Sequence, residues 1–432
     1  MRQGRIFYGW YIVAVAFVSN FMATGTGFYI FNAFMNPLCE QRGWTRTELN
    51  AAPAIGMVIG LLSTLLYGTL VTRVGPRLLM VVGSVVSGIA FACLGWVKEI
   101  AYLYLFFALL FLGNGAMSGI VANTAVSNWF EKKRGKAVGL ATAGVSLSGA
   151  VLPYLAMLML EHSSLTHVFL WIGVMVWIVA PVSWVVVRDR PELYGLAPDG
   201  LLPGDTHQDA VQDLPQSLMT APYGTLWPKG SVPGGGRSLW TPSRILRTQA
   251  FWMVGFSYAL VMMGVVGVMY QLAPRFTDIG YDRRMAMAML SVTALIGAAG
   301  KTFWGMLCDW FEPKRVAAVL MAMNGVGLVM ALPQGSHYTL ILFIILFGFA
   351  MGGVMSTFPV LIAELFGRES FAPVTRFLAL FLFLQGAGYL MMGQSFDRTG
   401  SYNLAYSAFI LLDIMAALLI LSVKRPLLPF QV

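Results

Sequence analysis

The stretch "GTLVTRVGPRLLM" (68–80) joins two long apolar runs, and "GMLCDWFEPKRVA" (305–317) does the same further along the chain. Each opens on glycine, sets leucine two positions later and carries its basic residues just before the next apolar run. Gly68 and Gly305 are offset by 237 positions. A second pair of landmarks agrees within one residue: "NWFEKKRGK" (128–136) and "ELFGRESFA" (364–372) place Phe130 and Phe366 at an offset of 236. Two independent landmarks with one spacing mark an internal duplication, so whatever the first half builds, the second builds again.

Working outward from these loops, the flanking runs are apolar for about 20 residues or more, the length that crosses a bilayer core as a helix. Segments at about 7–36, 47–72, 78–97, 100–130, 136–160 and 166–187 form a first set of six. A second set follows at about 248–275, 284–308, 315–333, 338–366, 372–396 and 403–423. Composition agrees. Of 432 residues, 58% are hydrophobic and 11% charged, against roughly 25% charged in an ordinary soluble domain, which excludes a soluble single-core protein. The 46 glycines suit membrane helices, whose backbones approach closely where side chains are small. The expected fold is an all-α membrane protein with twelve transmembrane helices in two six-helix bundles.

Residues 188–247 break the pattern, being rich in Pro, Gly, Asp and Gln with a "VPGGG" run. They read as a cytoplasmic linker between an N-terminal bundle at 1–187 and a C-terminal bundle at 248–432. With an even number of spans both termini share a side, and most of the 28 Lys and Arg fall there, which predicts cytoplasmic termini. The cluster Lys132, Lys133, Arg134 and Lys136 is a topogenic run beside anionic lipid, and the net charge of +9 implies no nucleic-acid partner. Three cysteines and four histidines offer neither a disulfide framework nor a metal site. "GNGAMSG" (113–119) lacks the strand and spacing of a dinucleotide loop, and no phosphate-cradling loop or catalytic constellation occurs. The chain reads as neither an enzyme nor an ATP-driven pump, and no cofactor is implied. A duplicated bundle of this size is the build of gradient-driven transporters, whose site lies between the halves near the bilayer midplane.

These residues resemble the major facilitator superfamily. Its loop pattern, similar to G-x-L-x-D-R-x-G-x-R, is matched by Gly68, Leu70, Arg73, Gly75 and Arg77, with Thr72 in the acidic place. The second copy keeps Gly305, Leu307, Asp309, Lys314 and Arg315. "FYGWYIVAVAF", "GWTRTELN", "NWFEKKRGKAVGLATAG" and "RPELYGLAPDG" further resemble the branch holding monocarboxylate transporters and oxalate:formate antiporters. The resemblance implies alternating access about a central site, lined mainly by helices 1, 4, 7 and 10. It also implies that Arg73, Arg77 and Asp309 act as a gate latch, with the two arginines pairing with acidic groups or carbonyls of the neighbouring bundle when the inside gate is closed.

Lys301 is the only formally charged residue between Met285 and Leu307. Eight residues at 1.5 Å rise separate it from Asp309, which sets it about 12 Å into a core about 30 Å thick. A cation at that depth costs several kcal/mol unless it faces water or a counter-charge, so it reads as a functional group that binds an anion. In the resembled branch, "GKTFWGMLCD" places Lys301 where a carboxylate-binding arginine appears. The aspartate that couples protons one turn earlier is matched by Gly297. Unlike a guanidinium, an ammonium can give up its proton between transport states, so Lys301 is itself a candidate for proton coupling, together with Asp413 in helix 12, whose other reading is a buried structural acid. Tyr29, Asn123, Gln385 and Tyr389 are the favoured further substrate contacts. Asn20, Asn32, Asn114 and other polar groups of the lining helices either contact substrate or bond a neighbouring helix.

The reading is a monomeric, multi-pass carrier in a bacterial inner membrane that moves a small organic anion, most simply a monocarboxylate, by symport with protons. Carboxylate exchange, efflux of amphiphilic compounds and a non-transporting receptor are the alternatives.

Overall fold

The structure is a computed structural model describing residues 7–130, 133–191, 242–332, 336–366 and 371–426. Among them every regular element is helical. Eleven helices are long and apolar enough to cross a membrane. The first half contributes span 1 (Gly9–Arg42), span 2 (Arg46–Val71), span 3 (Pro76–Trp96), span 4 (Ile100–Trp129), span 5 (Lys136–His162) and span 6 (Leu165–Val186). The second contributes span 7 (Gln249–Tyr270), span 8 (Arg283–Trp310), span 9 (Pro313–Ala331), span 10 (His337–Phe366) and span 12 (Asn403–Leu421). Span 11 completes the twelve in three pieces, Phe371–Leu378, a 3₁₀ stretch Ala379–Gln385, and Gly386–Thr399. Most of the linker expected at 188–247 lies outside the described residues.

Side-chain placement follows the solvent that each face meets. Val185 is 64% and Leu411 67% exposed, which would be unfavourable in water and is what a lipid-facing wall requires. Inside the bundles, small residues bring backbones together. A Cβ on Gly83 of span 3 would stand 2.6 Å from the Gly113 carbonyl oxygen of span 4, and one on Gly267 of span 7 would stand 2.6 Å from the Gly388 carbonyl oxygen of span 11. Within the halves, span 3 packs on spans 4 and 6, span 1 on span 5, and spans 9 and 8 on span 10. Between them, span 2 lies along span 11 and span 5 along span 8.

Four spans are irregular in mid-course. Span 1 widens into a π-helix at Gly25–Tyr29. Span 4 breaks at Ser118 and at Gly119, whose φ of 54° needs glycine. Span 7 ends at Tyr270 and resumes at Leu272–Asp278, and span 11 tightens at Ala379–Gln385. With no water in a bilayer core, each freed backbone group needs a protein partner, and span 1 supplies several. Asn20 Oδ1 accepts from the Gly119 amide at 3.1 Å, and Ser19 Oγ donates to the Met117 carbonyl at 2.6 Å. Asn32 Nδ2 donates to the Met269 carbonyl at 3.0 Å while its Oδ1 accepts from the Ala273 amide at 3.0 Å.

The tightest crossing joins spans 8 and 10, where a Cβ on Gly352 would overlap the Gly297 carbonyl oxygen and lie 2.8 Å from the Lys301 amide nitrogen. Overpacking of this kind costs about 1–3 kcal/mol. Gly352→Ala should therefore lower the detergent-solubilised melting temperature by several degrees. Gly139→Ala, where nothing lies within 4 Å, should leave it unchanged or slightly raised. Equal melting temperatures for both variants would contradict this packing.

Candidate functional site

Between the halves lies a cavity of about 490 Å³, walled by spans 1, 2, 4 and 5 on one side and 7, 8, 10 and 11 on the other. Span 8 contributes Ala294, Gly297, Ala298 and Lys301, the i, i+3, i+4, i+7 spacing of one helical face. Its Val292, Leu295, Phe303 and Met306 are exposed to the lipid side instead. Small residues over two turns of that inner face leave room for the lysine stem. Lys301 is the one Lys, Arg, Asp or Glu on the cavity wall among the described residues. Its ammonium has no ion pair or hydrogen bond among them.

Three of the four other expected contacts share this cavity. Tyr29 is turned inward by the π-helical stretch of span 1. Gln385, at the end of the 3₁₀ stretch of span 11, has Nε2 3.3 Å from the Met57 sulfur, a weak partner that a better acceptor displaces. Tyr389 is fully buried, its ring edge-on to Tyr270 at 4.8 Å and its hydroxyl without a hydrogen-bond partner. Asn123 is not on the wall. It sits past the Gly119 break, its amide donating to the Gly119 carbonyl at 3.0 Å. Asn20 and Asn32 hold backbone breaks, and Asn114 donates to the Ala23 carbonyl at 3.0 Å while accepting from Ser87 at 2.9 Å. The rest of the wall is mostly apolar, with five methionines (Met57, Met262, Met269, Met351, Met355) and the rings of Phe28, Phe111 and Phe383, interrupted by the neutral polar side chains of Thr24, Thr64, Asn114, Ser118 and Ser146.

Gly297 has a structural reason to lack a side chain: a Cβ there would meet the Met351 methyl at 2.7 Å and the Gly348 carbonyl oxygen at 3.2 Å. Asp413 is buried away from the cavity wall between spans 12 and 9. Its Oδ2 accepts from Asn324 Nδ2 at 2.7 Å and its Oδ1 has no partner.

A latch joins the halves at the end opposite the chain termini. The Arg46 guanidinium of span 2 makes a two-pronged bond to Asp278, at 2.6 and 2.8 Å, and lies 3.7 Å from the Phe396 ring centroid. Asp397 of span 11 accepts from the Arg46 and Thr47 amides at 3.2 and 2.8 Å, so a carboxylate of one half caps a helix N-terminus of the other. Arg284 adds a pair with Glu161 at 2.7 Å, and Asn36 donates to Thr277 at 2.9 Å. Sequence reading did not single out this latch. At the opposite end Arg77 stays within its own half, donating to the Trp184 carbonyl, with its amide bonded to Asp189 at 3.0 Å. Arg73 and Asp309 are exposed there. The distal end is therefore latched by charge, while the arginine expected to bridge the bundles at the terminal end does not do so in this conformation.

A family model described as Major Facilitator Superfamily matches residues 16–391. Oxalate:formate antiporter of Oxalobacter formigenes is 22% identical over 362 residues, covering 83% of this chain and 78% of that one. Monocarboxylate transporter 11 of Homo sapiens is 25% identical over 323 residues, covering 74% of this chain, which spans 61% of that relative's length. Among solved structures, the crystal structure of a D-xylose-proton symporter superposes with a TM-score of 0.71 at 14% identity, covering 97% of this chain and 99% of that one.

Truncating Arg46 leaves Asp278 with only the Tyr402 hydroxyl, at 3.2 Å. A bond to a charged group is worth about 2 kcal/mol, so Arg46→Met should shift the population toward a distally open form by roughly 30-fold. Spin labels at the exposed positions Gln41 and Arg398 should report a longer distance component in that variant. An unchanged distance distribution would rule the latch out as a conformational determinant.

Proposed function

The chain belongs to the Major Facilitator Superfamily, and we propose that it carries small organic anions, chiefly monocarboxylates, by alternating access, with Lys301 as the anion-binding group. The single observation behind this is an ammonium that, among the described residues, has no partner and is the sole charge on the wall of a central cavity. An ammonium held out of bulk water in a medium of low dielectric constant is strongly unfavourable until an anion joins it. A carboxylate bound to Lys301 removes that cost. Tyr29, Gln385 and Tyr389 then orient the remainder of the substrate, while Asn123, whose Oδ1 is buried without a partner, lies off the cavity wall. Occupancy lets the Arg46–Asp278 latch release and the halves rock to the opposite arrangement. The names of two relatives, an oxalate:formate antiporter and a monocarboxylate transporter, point to the same chemistry.

Coupling follows from how the empty carrier returns. If Lys301 surrenders its proton when the anion leaves, the neutral amine crosses back and the net event is proton symport. If it stays charged, only another anion permits return and the carrier exchanges. The second reading draws support from the cavity wall, which holds no acid among the described residues; Gly297 fills the place of the proton-coupling acid. The distribution of Lys and Arg supports cytoplasmic termini. The distal latch then closes the outer face of a monomer in a bacterial inner membrane.

Proteoliposomes loaded with the purified chain test this directly. Labelled lactate or pyruvate should accumulate under an inward proton gradient if the coupling is symport, and only against preloaded unlabelled acid if it is exchange. Lys301→Ala should reduce either flux by 10-fold to 100-fold, the loss expected for one charge-assisted bond. Lys301→Arg should keep a measurable part. Undiminished carboxylate flux in the alanine variant would remove Lys301 from the mechanism.

A further inference from the structure

Charge and shape on the cavity wall distinguish among carboxylates. We infer that the preferred substrate is a monoanion with a sizeable apolar body, such as a medium-chain or arylalkyl carboxylate, rather than a compact acid or a dicarboxylate. This rests on the anion-carrier reading above and goes further by naming the body attached to the carboxylate.

The first argument is electrostatic. One ammonium neutralises one carboxylate, and the described wall offers no second cation. A second carboxylate in this space would be stripped of water without a counter-charge, which is far more unfavourable than burying a neutral end group. Hydroxyl and amide groups at Tyr29, Tyr389 and Gln385 can take a hydrogen bond, but they do not supply a charge. Longer, doubly charged acids are therefore disfavoured by the same feature that favours single ones.

The second argument concerns area. The cavity, at about 490 Å³, falls in the range that encloses ligands well beyond a three-carbon acid. The methionines of spans 2, 7 and 10 and the rings of Phe28 and Phe111 make most of the wall apolar, and its other polar groups, Thr24, Thr64, Asn114, Ser118 and Ser146, are uncharged. Thioethers on unbranched stems adapt to varied apolar shapes and make favourable contacts with aromatic edges. A compact acid leaves that wall uncovered, whereas each added methylene covers part of it. At the usual transfer free energy per methylene, affinity rises roughly fourfold per CH₂ until the cavity is filled.

Isothermal titration of the full-length chain in detergent with propionate, butyrate, pentanoate, hexanoate, 3-phenylpropionate and adipate tests the inference. Hexanoate should bind on the order of 50-fold more tightly than propionate, the product of three methylene steps. 3-Phenylpropionate should match hexanoate or exceed it, and adipate should bind at least 30-fold more weakly than hexanoate. Phe28→Ala should flatten the dependence on chain length more than it weakens propionate. Affinity that is level or falls with chain length, or adipate equal to hexanoate, would overturn the substrate class while leaving a Lys301-dependent carboxylate carrier standing. If no acid of the series binds, or Lys301→Ala leaves hexanoate affinity unchanged, the carrier reading falls and this inference with it.

Discussion

An uncompensated positive charge in the middle of a low-dielectric layer is the constraint around which this molecule is arranged. An ion moved from water into a dry interior loses hydration worth several kcal/mol even after relaxation, so Lys301 is tolerated only where water or an anion can reach it. The fold meets that condition with a cavity between two halves. The crossing of spans 8 and 10 at Gly297 and Gly352 fixes the depth of the lysine and leaves the inner face of span 8 small enough for its stem to lie along the wall. Gly352 and the lysine are one structural unit, because a side chain at Gly352 would meet the backbone of span 8 at Gly297 and Lys301, push the crossing apart and shift the ammonium.

A second constraint comes from the backbone. Where spans 1, 4, 7 and 11 depart from regular α-helix they open space for the cavity and aim Tyr29 and Gln385 into it, but they also free peptide groups that lipid cannot satisfy. Asn20 and Asn32 answer that need from span 1. Asn32 is the more consequential of the two, because its partners belong to the opposite half. The break in span 7 is held closed only while the halves touch, which couples the local helix geometry at Met269, a residue of the cavity wall, to the global arrangement of the bundles.

Much of this was legible in the sequence. The twelve apolar segments, the duplicated loops and the isolated lysine are features of period, length and charge, which survive without coordinates. The inward face of span 8 could also be read from the small residues at 294, 297 and 298 ahead of Lys301. The roles of the polar residues in span 1 could not. An asparagine in an apolar run looks the same whether it meets a substrate or a freed carbonyl, and the difference lies in helix breaks that hydropathy does not register. The Arg46–Asp278–Asp397 latch was hidden for another reason: its members lie at or near the ends of three separate helices, far apart in the chain, where charged residues are ordinary, and only tertiary structure brings them within bonding distance. Arg77 shows the converse. A loop motif identified its position, but its partner in this conformation is a carbonyl of its own half.

The two ends of the molecule are unequal, and that inequality bears on how transport is driven. A two-state equilibrium moved from 1:99 to 99:1 needs about 5.5 kcal/mol of differential interaction. The Arg46–Asp278 pair, buried on the arginine side and partly open to solvent on the aspartate side, with the Asp397 cap beside it, contributes about 2 kcal/mol. On the proposed reading, a latch of that strength holds the distal end closed without locking it, because neutralising the Lys301 ammonium by a bound anion would supply a term of similar size and opposite direction. In the proposed cycle the anion therefore does more than occupy a site: its charge is the quantity that would bring the two arrangements near enough in free energy to interconvert.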